Sequence, residues 1–134
     1  PASLFLTLPI AILFFISLKT ADFFMLQSHF VALLTYVSEK DGGRKTPASS
    51  GYRPTLKFTY IDGEFSGVQH FIDTDLVFAG DTVSAEITLI NTDNFKGKLY
   101  VGLDFEFFEG PILIGSGIIT QIGKEFMLFQ NEKR

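Results

Sequence analysis

Few residues in this chain have the types and spacing that chemistry needs. His70 stands shortly before Asp73 and Asp75 in QHFIDTD, a set that can ligate a metal or pair a base with its orienting carboxylate. A histidine at a strand end, bonded to a neighbour or to water, is the commoner arrangement. The second histidine, His29, is far away in sequence. Asp104 and Glu106 fall two apart in an alternating run, so on a strand both carboxylates project from one face, with Glu109 close behind. Paired carboxylates hydrolyse glycosides when held at a set separation inside a cleft. On the outside of a strand they supply solubility and protect an edge. The glycines of GSG, Gly115 and Gly117, lie inside a strand pattern and are too few for a dinucleotide fingerprint, so close packing is their expected role. No G-x-x-x-x-G-K-[ST] phosphate loop is present, and with no Cys there is no thiolate ligand or nucleophile. No reaction class stands out. The expectation is a protein that is not an enzyme, with no catalytic residue, metal site or cofactor.

Charge gives a stronger signal. The 134-residue chain carries a formal charge of −4, which argues against a dedicated nucleic-acid binder. The stretch KDGGRKTPASSGYRP and the strand after it hold Lys40, Arg44, Lys45, Arg53 and Lys57 against one anion, Asp41. The remainder is strongly acidic. Segregation of this kind steers a polyanion or an acidic protein face towards one patch. The plainer reading is a solvated loop whose charges keep it off the core.

The elements that must carry these residues read as strands. Nearly half the chain is apolar and sixteen residues are Phe, enough for one domain with a real core. HFVALLTYV is rich in β-branched and aromatic residues and stops at SEKDGG. TLKFTYI alternates, placing Leu56, Phe58 and Tyr60 on one face, and DGEFSG follows as a turn cluster. VSAEITLI turns Val83, Ala85, Ile87 and Leu89 to one side. LYVGLDFEFF turns Leu99, Val101, Leu103, Phe105 and Phe107 inward, and PILIGSGIITQI closes the series. Short strands of this kind predict a sandwich or a small six-stranded antiparallel closed barrel, and closure is favoured because it removes exposed edges. GKEFMLFQNEKR is a last strand or a frayed tail.

Residues 1–18 contain no charge and fall at the short end of what a membrane span needs. Pro9 interrupts the run, and neither a basic start nor a small-residue cleavage site marks a secretory signal. Three readings fit: a truncated membrane anchor, a buried or docking helix, or upstream sequence ahead of a start at Met25. The third is favoured, because the recognisable domain opens soon after Met25. The absence of Cys suits a reducing, cytoplasmic location; membrane anchoring through residues 1–18 is the alternative.

HFVALLTYVSEKDGGRKTPASSGYRPTLKF resembles the start of the third, C-terminal domain of bacterial elongation factor Tu. Gly42, Gly43, Arg44, Thr46, Pro47, Gly51, Tyr52, Arg53 and Pro54 match its pattern in order and spacing. DLVFAGDTVSAEITLI is similar to the family's strand-turn-strand around Pro-Gly-Asp, with Ala79 for the proline. GLDFEFFEGPILIGSGIITQI follows its last two strands. The resemblance covers about residues 28–122, with 1–27 as an N-terminal apolar extension and 123–134 as a tail. It implies a six-stranded antiparallel β-barrel that performs no chemistry. In the full factor this domain packs on the GTP-binding domain, grips the T stem of aminoacyl-tRNA and helps bind the exchange factor Ts.

By the same resemblance, Arg44 and Lys45 are the best candidates for phosphate contacts. Three arginine positions of the family hold Asp104, Phe108 and Ile112 here, and Pro111 replaces a glycine. Loss of three phosphate contacts would remove roughly three units of salt dependence and much RNA affinity. The expected function is therefore a free-standing, protein-binding module that uses Arg44, Lys45, Arg53, Glu109 and Gly110. Its partner would be a protein that recognises elongation factor Tu. Binding of tRNA through the basic loop is the alternative. The fold should place Arg44 beside Glu109.

Overall fold

A computed structural model of the chain describes residues 28–92, 95, 97–123 and 126. The expectations for the apolar segment 1–27 and for nearly all of the 123–134 tail fall outside those residues. Among the described residues eight strands appear: β1 (Phe30–Tyr36), β2 (Ala48–Ser49), β3 (Thr55–Phe58), β4 (Phe65–Phe71), β5 (Leu76–Val77), β6 (Thr82–Leu89), β7 (Asp104–Glu109) and β8 (Ile112–Ile122). Six form a closed barrel in the order β1-β6-β4-β3-β7-β8, and every neighbouring pair is antiparallel. The two remaining strands, β2 and β5, make a separate short ribbon.

Strand alternation fills the interior. Phe30, Ala32, Leu34 and Tyr36 of β1, Ala85, Ile87 and Leu89 of β6, and Phe105 and Phe107 of β7 are all buried. The rings of Phe30, Phe58 and Phe105 meet at centroid distances of 5.8, 6.1 and 5.4 Å, tilted or edge-on. Each such pair adds about 0.5–1.5 kcal/mol beyond the area it buries. The two glycines of GSG make room for this packing. A Cβ on Gly117 would lie 2.4 Å from Phe105 Cζ, and one on Gly115 would lie 2.3 Å from Phe107 Cζ. The aromatic rings of β7 thus occupy the space that β8 leaves empty.

Three expectations need correction. The strand β4 begins at Phe65, inside the DGEFSG cluster read as a turn. Tyr60 is 81% exposed, because β3 ends at Phe58 and the chain turns before Tyr60 can share the face of Leu56. Val101 is likewise exposed, since β7 starts only at Asp104; Leu99 and Leu103 are buried from the preceding turns.

Candidate functional site

Antiparallel closure sorts the connections between the two ends of the barrel. At one end lie the β1–β3 loop, the β4–β6 connection and the β7–β8 hairpin. The β3–β4 turn, the β6–β7 connection, and the points where the described barrel begins and finishes lie at the other. The basic loop is thus brought to the Glu109 hairpin by topology.

The loop is built by local rules. Ser38 caps a short 3-10 turn, Glu39–Asp41, by accepting the Asp41 N–H on its hydroxyl at 3.2 Å. Further on, Ala48 and Ser49 pair with Val77 and Leu76, and the Gln69 N–H donates to the Tyr52 carbonyl at 2.8 Å. Pro54, buried, leads the chain into β3. On the hairpin, Gly110 has φ +56 and precedes Pro111, an order that suits the mirror-image turns joining twisted strands.

These pieces assemble a layered polar cluster. Arg44 Nη1 donates to Glu109 Oε1 in an ion pair, and the Tyr52 hydroxyl donates to the same oxygen. The Arg44 guanidinium also lies 4.8 Å from the Tyr52 ring centre, and its Nε donates to the Thr46 carbonyl at 3.2 Å. Beneath Tyr52, the Tyr36 ring sits at 6.4 Å, and its hydroxyl donates to Gln69 Oε1 at 2.6 Å. Gln69 is fully buried, and its Nε2 finds no partner among the described residues. Burial pushes both phenols up from their ordinary value of 10. For Tyr36 the neighbouring Tyr52 adds to the rise, and Arg44 opposes it at both. The tyrosines are therefore fixed as neutral donors, and the cluster runs unbroken from Glu109 at the surface to Gln69 in the core.

Arg44 and Glu109 are neighbours, as the sequence led us to expect, and both are half-buried. Lys45, Arg53 and Gly110 are exposed at the same end. Lys57 is not part of that group: it points outward from β3, directly across from Glu106. Of the three positions singled out as replacing arginines, Asp104 and Ile112 are exposed and Phe108 is half-buried.

His70 projects outward from β4 opposite Glu86, while Asp73 and Asp75 are exposed on the following loop. Among the described residues, no three His, Asp or Glu side chains are grouped to hold a metal ion. Asp104 and Glu106 line a trough of about 440 Å³ on the outer wall, together with Lys57, Thr59 and Ser116. Tyr36 and Gln69 were not anticipated as part of the cluster. The available signal was a glutamine in the inward register of a strand. Among the described residues, no helix is long and apolar enough to cross a membrane. In a comparison with known protein families, no family model matches the chain.

Proposed function

We propose that this barrel is a non-enzymatic, protein-interaction module of the elongation factor Tu third-domain type. Its contact surface is the end formed by the basic loop and the β7–β8 hairpin. The observation that carries this reading is the state of Arg44. Its guanidinium is committed to Glu109, Thr46 and the Tyr52 ring, so the best phosphate ligand in the loop is a structural tie instead. Lys45, Arg53, Glu109 and Gly110 share this end of the barrel with the exposed apolar side chains of Ile112 and Leu113. A mixed apolar and charged surface is what protein partners use, with cations at the rim governing encounter. The partner that fits is one that recognises the third domain of elongation factor Tu, such as its exchange factor. A cytoplasmic setting accords with a chain free of Cys.

The exposed Lys40, Lys45 and Arg53 support tRNA binding as the second reading. Titration calorimetry with exchange factor Ts, alongside a mobility shift with bulk tRNA at several salt concentrations, separates the two. Heat of binding to the protein that is lost in Ile112→Asp, with no RNA shift, is expected. A shift at low salt that Lys45→Glu abolishes, without binding to the protein, overturns the proposal.

A further inference from the structure

The end of the barrel remote from Arg44 has an unusual surface. The β3–β4 turn exposes Tyr60, and the β6–β7 connection exposes Ile90, Tyr100 and Val101, each at 50% or more. Their backbones are neighbours of this rim: the Ile90 N–H donates to the Ser66 carbonyl, the Leu103 N–H to the Tyr100 carbonyl, and the Gly102 N–H to the Ile119 carbonyl. Beneath them Phe95 is fully buried against Phe58 and Phe65, so the rim rests on a packed plug. The loop end also exposes apolar groups, Leu76, Phe78 and Ile112. The tyrosines separate the two ends. Of the four in the chain, Tyr36 and Tyr52 at the loop end are held by hydrogen bonds to Gln69 and Glu109, whereas Tyr60 and Tyr100 at the remote end face solvent.

The position of chain entry gives this rim a candidate occupant. The described barrel starts at this same end, where the His29 N–H donates to the Ile87 carbonyl and the Gly123 N–H donates to the His29 carbonyl. Upstream in the sequence, residues 1–18 are uncharged and apolar, and only residues 19–27 separate them from Ser28. A stretch of 18 apolar residues is within the range that enters a bilayer. Those nine linking residues reach at most about 30 Å when fully extended. The chain thus joins the barrel to any bilayer that takes up residues 1–18 from the Tyr60 and Tyr100 end, opposite Arg44.

We propose that this rim rests on the interface of a zwitterionic phospholipid bilayer, with Tyr60 and Tyr100 at headgroup level and Ile90 and Val101 dipping below. This takes the first of the three readings of residues 1–18 in preference to an upstream start. Tyrosine suits that depth because its ring is apolar and its hydroxyl stays wet. The charged groups beside the rim set the lipid class. In sequence the two connections carry Asp62, Glu64 and Asp93 against Lys96 and Lys98, a net negative set that disfavours anionic headgroups. The basic loop, which anionic lipid would attract, lies at the opposite end.

The chain contains no Trp, so single tryptophans report position cleanly. Full-length Tyr60→Trp, Tyr100→Trp and Leu76→Trp variants are mixed with phosphatidylcholine vesicles whose lipids are brominated close to the headgroup. Flotation of all three is expected. Tryptophan at positions 60 and 100 should lose most of its emission, and at position 76 it should keep it. Failure to float with phosphatidylcholine, or flotation only with anionic vesicles, overturns the proposal. So does flotation with emission preserved at 60 and 100, or with quenching at 76. Far-ultraviolet circular dichroism of each variant confirms that the reporters sit on a folded barrel.

Discussion

Removing Arg44 and Glu109 singly and together tests whether the loop is tied to the hairpin as the geometry indicates. Arg44 is 22% accessible and Glu109 40%, so the pair lies between a solvated contact and a buried one. Exposed ion pairs contribute about 0.2–1 kcal/mol, and hydrogen bonds to charged groups about 1.5–3 kcal/mol. An intermediate coupling of about 1–1.5 kcal/mol follows. Arg44→Ala also loses the face of Tyr52, worth about 0.5–1 kcal/mol at a partly exposed position, for a total of about 1.5–2.5 kcal/mol. Glu109→Ala deprives both Arg44 and the Tyr52 hydroxyl of their shared acceptor and should destabilise by ~2 kcal/mol or slightly more. The double variant should then fall short of the sum by the coupling energy. For a domain of this size about 1 kcal/mol shifts Tm by roughly 4–8 °C, so thermal and urea unfolding followed by circular dichroism resolve these differences. Additivity within about 0.3–0.5 kcal/mol would refute the tie. The loop charges would then be free for a polyanion after all.

Gly117→Ala sets a Cβ against Phe105 and, at 2.8 Å, against Leu34, neither of which can withdraw from the core; a loss of about 1–3 kcal/mol in urea unfolding is expected. Tyr36→Phe leaves fully buried Gln69 with neither amide atom partnered and should cost about 1–3 kcal/mol, more than Phe replacement of exposed Tyr100. His29 Nδ1 accepts the Leu89 N–H at 2.8 Å, and burial lowers the imidazole below its ordinary 6.5. The unfolded chain therefore binds the proton more readily, and stability falls as acid takes the pH from 6.5 down through the folded-state value; His29→Asn should flatten that part of a Tm–pH profile. The tyrosines act in the opposite direction. Their raised folded values make stability full below pH 10 and progressively lost above it, a loss that Tyr36→Phe should reduce.

Much of the barrel was legible because most strands alternate cleanly. Phe105 and Phe107 point in while Asp104 and Glu106 point out, a pattern that only a half-buried strand satisfies. The strand β4 was hidden because two of its buried positions are Gly67 and Gln69, not apolar side chains. Gly67 is there for space: a Cβ would meet Leu56 Cδ1 at 2.6 Å. Gln69 is there for the Tyr36 hydroxyl. Neither reason is visible until the partner strand is in place. Tyr60 and Val101 were misread because alternation continues in the letters beyond the residue where the ladder ends. The nearness of Arg44 to Glu109 followed from the resemblance and the strand order, but the capture of Arg44 by its neighbours did not. That depends on side-chain reach across 65 positions of sequence.

The pairing of β8 back onto β1 also limits how anything can attach to this molecule. Every barrel strand already has a companion on each side, so among the described residues the barrel offers an extended peptide no free edge strand on which to lengthen the sheet. Between them, β2 and β5 offer only four residues for such an addition. Recognition must then be read out by side chains on the rims and walls. A binder could be evolved or abolished by exchanging loop residues, while the hydrogen-bonded cylinder beneath them stays the same.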